Sequence, residues 1–160
     1  MLRFLVATLL LTLVCVNAVA ETDNVYVKRV ERDIEVVYKQ VFTSLENNGY
    51  FVVFEPNIGK NLSHFAERWG ENYNRNKLEA IRSMVFCNAW YANAVSNADP
   101  DLVALCPLHV TLTHKSGVTS VLFVRPGRVA VGSPAEQVAQ ELEQDVIRAI
   151  ESGVGAAAPH

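Results

Sequence analysis

Leu108-His109-Val110-Thr111-Leu112-Thr113-His114-Lys115-Ser116-Gly117-Val118-Thr119-Ser120-Val121-Leu122-Phe123-Val124 carries the clearest structural message in the chain. Over 108–113 apolar and polar residues alternate, the period of a strand that turns one face to a core and leaves the other polar but uncharged. Lys115-Ser116-Gly117 breaks the alternation, and Gly117 supplies the positive φ a tight turn demands. β-Branched and aromatic residues then resume over 118–124. The stretch reads as an antiparallel hairpin that closes a sheet.

Moving toward the N-terminus, 102–105 is apolar, Ala98-Asp99-Pro100-Asp101 is a turn, 88–97 a short helix and 80–87 a third strand. Residues 71–77 form a polar surface connection. A short helix with Leu62, Phe65, Ala66 and Trp69 on its inner face ends at Gly70, after a loop at 57–60. Residues 50–55 read as a strand ended by Pro56. Before it lies a helix capped by Asp33, with Ile34, Val37, Val41 and Leu45 at helical spacing and Asn47-Asn48-Gly49 as its stop. A first strand covers 24–30. Toward the C-terminus, Ser133-Pro134-Ala135-Glu136 combines a Ser N-cap, Pro at the first helical position and a Glu that can return the capping bond. A long helix with Val138, Leu142, Val146 and Ile150 as its stripe follows, to about Glu151. The class is α+β, one sheet of about five strands with a long C-terminal helix.

Residues 1–20 have the pattern of a signal peptide: Arg3 supplies positive charge, 4–16 are apolar, and Ala18-Val19-Ala20 offers the small residues needed before Glu21. The apolar run is too short to span a bilayer comfortably. Bulky Leu13 and Val14 fit lipoprotein processing at Cys15 poorly. The expectation is a protein exported to the periplasm or secreted, with a single domain over 21–152, a flexible tail over 153–160 and no stable membrane insertion once the leader is cleaved. Among 160 residues the formal net charge is −3, and the basic residues are scattered, which argues against nucleic acid as a partner.

Gly49-Tyr50, Cys87-Asn88, the Pro-Asp turn and Leu105-Cys106-Pro107 before a hairpin together resemble the family catalogued as domain of unknown function 302, over about 34–125. The resemblance implies a curved antiparallel sheet with helices packed on one face, often assembled as a dimer. It implies no reaction. Two departures stand out. The family usually has Cys-Asn-Pro where this chain has Cys87-Asn88-Ala89, and Leu-Pro-Cys where it has Leu105-Cys106-Pro107.

No serine-hydrolase elbow, Walker loop or Gly-x-Gly-x-x-Gly occurs. Ser63 and His64 are neighbours on a helix and point about 100° apart; Asn61-Leu62-Ser63 matches a glycosylation acceptor. Cys87 and Cys106 could bridge in an oxidising compartment or remain two buried thiols. Cys106 and His109, with Cys87 as a third ligand, have a spacing seen in metal sites, provided Pro107 kinks the strand.

The apolar character of 50–54, 84–86 and 121–123 on both sides predicts a second sheet face that something must cover, either a partner subunit or a small apolar ligand. Met84, Phe86, Phe123 and His109 could share that face. The leading reading is a non-enzymatic homodimer that binds a small molecule or partner there. The alternative is a periplasmic redox or haem-binding protein, with non-covalent haem b held by His109 or Met84 and perhaps the Cys87/Cys106 pair.

Overall fold

The computed structural model describes residues 24–155; the leader at 1–20, with Cys15, and the tail residues 156–160 lie outside them. Five strands, β1 (Val25–Val30), β2 (Phe51–Phe54), β3 (Ala80–Cys87), β4 (Leu108–Lys115) and β5 (Val118–Val124), form one antiparallel sheet in the order β1-β5-β4-β3-β2. The helices are α1 (Ile34–Asn47), α2 (Ile58–Ser63), α3 (Ala66–Trp69), α4 (Ala89–Ala98), α5 (Pro126–Val129) and α6 (Glu136–Gly155). The α+β class, the five strands and the long last helix are as the sequence predicts.

α1 starts and stops for the reasons written in its sequence. Asp33 Oδ1 accepts from the Glu35 N–H at 2.8 Å. At the other end Gly49 turns the chain with φ 77°, and the Tyr50 N–H returns to the Leu45 carbonyl at 3.0 Å. The apolar stripes of α1 and α6 lie on the same sheet face, where Val37, Val41, Val146 and Ile150 pack with Met84, Val110, Leu112 and Phe123. Full burial of side chains this size contributes about 1.5–3 kcal/mol each before the entropy of ordering is subtracted.

Three local expectations change. The first helix after β2 begins at Ile58, inside the stretch read as a loop, because Asn57 Oδ1 caps it by accepting from the Lys60 N–H at 2.9 Å. That helix is interrupted at His64 and Phe65, and Phe65 and Trp69 stack on each other in solvent rather than forming a buried face. α6 begins at Glu136 rather than at Pro134, and the Glu136 carboxylate accepts from the Gly132 N–H at 2.8 Å.

A further change is at the far end of α6. The helix runs to Gly155, so 153–155 belong to the domain rather than to a tail; Gly153 and Val154 are buried. The reason is close approach: a Cβ on Gly153 would come within 3.0 Å of the Gln40 carbonyl oxygen and the Val41 Cα of α1. Arg32 donates to the Val154 carbonyl at 3.1 Å and the Ser44 hydroxyl to that of Ala149 at 2.7 Å, which fasten the same contact.

Unforeseen from the sequence is α5, held by a buried carboxylate. Glu143 accepts from Arg125 Nε at 2.8 Å and from the Gly127 N–H at 3.0 Å. Gly127 is required there, because a Cβ would lie 2.9 Å from Glu143 Oε2.

Gly153→Leu should destabilise the fold by about 1–3 kcal/mol, since the atoms it meets are α1 backbone and cannot rotate away. A urea melt reads this directly, and an unchanged midpoint would show that the α1–α6 contact is loose. A second expectation concerns pH. Lys28 Nζ lies 2.7 Å from Glu151 Oε2 and the Tyr26 hydroxyl donates to the same carboxylate, which holds it below the usual range. A depressed carboxyl stabilises the fold above its unfolded pKa of about 4.3, and that contribution is lost as pH falls through the lower folded value. Lys28→Met should therefore lower the urea midpoint near neutral pH and cease to matter in strong acid. An equal loss at both would assign the effect to packing.

Candidate functional site

The four residues expected to share one face divide between two. Met84 pairs with Val110 across β3 and β4, and Val110 pairs with Phe123 across β4 and β5, so Met84 and Phe123, together with Phe86, all point into the helix-covered core. Met84 and Phe86 have no exposed surface at all. His109 sits opposite Val85 and is exposed on the other face. The strand period of two separates them. His109 and Met84 therefore cannot serve one flat ligand, and the apolar haem pocket read from these four residues is not assembled.

The uncovered face has its own composition. A row runs from Val27 through Leu122 and Thr111 to Ser83, where the Thr111 hydroxyl donates to Ser83 Oγ at 3.1 Å. A second row runs from His109 through Val85 to Phe54, and Phe51 lies opposite Cys87. A bulge at Val53 shifts the register of β2 and leaves consecutive apolar side chains outside. Phe51, Val53 and Phe54 are 60%, 66% and 63% exposed. The apolar run at 50–54 signalled this, but only the strand order shows that β2 is an edge.

At one end of the sheet the motif residues converge. The Asn88 side chain donates to the Gly49 carbonyl at 3.2 Å and accepts from the Tyr91 N–H at 3.1 Å, so it caps α4 and ties it to the end of α1. Tyr50 stacks on Tyr91 and meets Phe86 edge to face; its hydroxyl is buried and has no hydrogen-bond partner. Burial, followed by the charge of Asp145, raises the Tyr50 phenol above its ordinary range.

Beside Asn88 the thiols of Cys87 and Cys106 lie 3.2 Å apart, both half-buried. Burial, with the hydrogen bond from Cys87 second, pushes the Cys106 thiol up to about 11. The pair borders an apolar cavity of about 20 Å³ under the 3-10 turn Pro100–Leu105, with Tyr91, Val95, Leu105 and Leu142 in its walls. That is room for about one water and no larger ligand.

Other concavities are polar. A groove of about 380 Å³ between α2 and the start of β3 contains Arg82, but that guanidinium is held by Glu35 at 2.6 Å and lies over the Tyr38 ring. Among the described residues no three His, Cys, Asp or Glu side chains come together as a metal site, so Cys87, Cys106 and His109 do not form the ligand set their spacing allowed. The Cys106–Pro107 peptide is cis. His64 is exposed at the end of α2.

The family model described as domain of unknown function DUF302 matches residues 26–153. No curated protein matches the chain. A solved structure titled as an uncharacterized conserved protein DUF302 from Bacillus stearothermophilus is similar with a TM-score of 0.69 at 15% identity, covering 81% of this chain and 98% of that one. At that identity the likeness speaks for the fold alone. With the sequence matched over nearly the whole described domain and the same architecture in a solved relative, this chain belongs to the DUF302 family.

Proposed function

We propose that the protein is an exported, non-enzymatic binding domain that pairs with a second copy of itself through the open sheet face at its β2 edge. The observation that carries this reading is the exposure of Phe51, Val53 and Phe54 on that edge strand. Aromatic side chains bury about 150–250 Å² each. A second copy suits the part of the face nearest β2 because the rows there are uncharged; Arg29, opposite Ser120, is exposed on β1 at the far edge. Leu122, Thr111, Val85 and Phe51 present nothing that would repel its own image across a two-fold axis.

The non-enzymatic part rests on where the perturbed groups are. Tyr26 and Glu151 bond each other, Tyr38 bonds Glu55, and Tyr91 bonds Asp145. Each of these bonds ties one element to another, the last of them at the wall of a shallow groove beside α6. Export rests on the leader pattern at 1–20. Among the described residues no helix is long and apolar enough to cross a membrane.

Phe51→Lys with Phe54→Lys should weaken association at least tenfold while leaving the circular dichroism unchanged, read by sedimentation equilibrium. A wild-type chain that stays monomeric throughout would sink the second-copy reading and turn the face over to a small apolar ligand. His109→Ala, at an exposed position, should change stability by no more than about 0.5 kcal/mol and weaken association less than the double substitution does. Unfolding of that variant would make the histidine structural.

A further inference from the structure

We propose that Cys87 and Cys106 form a reversible dithiol–disulfide site that exchanges with disulfides outside the chain. Their Sγ atoms are 3.2 Å apart. A disulfide bond is about 2.05 Å long, so about 1.2 Å of approach closes it. Room for that movement exists beside the pair: the cavity of about 20 Å³ touches both cysteines and underlies Pro100–Leu105, the turn that delivers Cys106. A tightly packed neighbour would resist such a shift, and a void does not.

The reduced form is already held in place by other bonds, which separates this site from a permanent staple. On the Cys87 side, Asn88 caps α4 and anchors to Gly49. Toward Cys106, Asp99 accepts from the Asp101 N–H at 3.1 Å and from the Ser133 hydroxyl at 2.6 Å, and the Cys106 N–H reaches the Val103 carbonyl at 2.8 Å. Both ends of the closed loop are thus fixed without the S–S bond. Oxidised and reduced forms would then share one fold, the condition for cycling between them.

In the exchange, Cys87 as thiolate attacks one sulfur of an external disulfide R–S–S–R. The Cys87–S–S–R bond forms, and the departing R–S⁻ takes up a proton equivalent to the one Cys87 released. The Cys106 sulfur then attacks Cys87 Sγ, loses its proton to solvent and expels the second R–S⁻, which is protonated. Two protein thiols are oxidised and one external disulfide becomes two R–SH. Either order of attack gives the same products; burial, with the Cys87 hydrogen bond second, raises the Cys106 thiol, which favours Cys106 as the resolving partner. The external disulfide reacts from the solvent side, since the cavity is too small to admit it.

The test equilibrates the purified chain with mixtures of reduced and oxidised glutathione, followed by acid quench, alkylation and intact mass. The expected result is a single-chain species in which Cys87 and Cys106 together carry two alkyl groups or none, with any alkyl group on Cys15 of an uncleaved leader counted apart. Its ratio should follow the glutathione poise and reach the same value from either direction. Cys106→Ser should accumulate one glutathione on Cys87, whereas Cys87→Ser should leave Cys106 unmodified near neutral pH. Three results would overturn the proposal: a wild-type bridge that a dithiol reduces only after unfolding, a stable glutathione adduct on the wild type, or bridges between two chains. The wild-type measurement decides even where a variant fails to fold.

Discussion

A five-stranded sheet has two faces, and this chain has two long helices to cover them. Both go to the same side. α1 and α6 lie next to each other because Gly153 lets α6 approach the Gln40 and Val41 backbone, with Ser44 and Arg32 fastening the contact. Side by side, they cover Met84, Val110, Val121 and Phe123 completely. The helices that remain, α2 to α5, are short and sit at edges and ends. What the molecule offers to other molecules is therefore settled by which residues the strand period sends to the far face.

That period explains both the success and the failure of reading this chain as text. The hairpin, the α1 stripe with its Asp33 cap and Gly49 stop, and the α6 stripe were legible because each is a local pattern of spacing. The grouping of Met84, Phe86 and Phe123 with His109 was not, because it depends on the register between strands. Val85, not Met84, is the neighbour of His109. Similarly, the inner face assigned to Leu62, Phe65 and Trp69 presumed one continuous helix, and the Asn57 cap starts the helix too early for that. Nothing in the local spacing singles out Glu143. Its burial follows only from where Arg125 and Gly127 arrive in space.

The motif residues that resemble the family are scattered over 49–107, yet they meet at one end of the sheet. Gly49 frees its carbonyl at the end of α1, Asn88 takes that carbonyl while capping α4, and Cys87 ends the strand that leads to Asn88. Tyr50 stacks against Tyr91, one turn into α4. The shifted order Leu105-Cys106-Pro107 put the direction of the second thiol in question. In this fold the 3-10 turn at Pro100–Leu105 brings Cys106 beside Cys87 all the same.

Phe51 lies opposite Cys87, so β2 belongs both to the apolar edge and to the neighbourhood of the thiols. The two remain mechanically separate for a physical reason. β2 is pinned from the α1 side, with the Tyr50 N–H on the Leu45 carbonyl and the Val52 N–H on Glu46 Oε1 at 2.7 Å. The cavity lies on the Cys106 side, under the turn, and a displacement follows the softer direction. Closing the S–S bond would thus draw Cys106 toward Cys87 and leave Phe51, Val53 and Phe54 where they stand. Under the proposed pairing, association through the edge would therefore be independent of the thiol state, because the part that yields and the part that would dock do not share their supports.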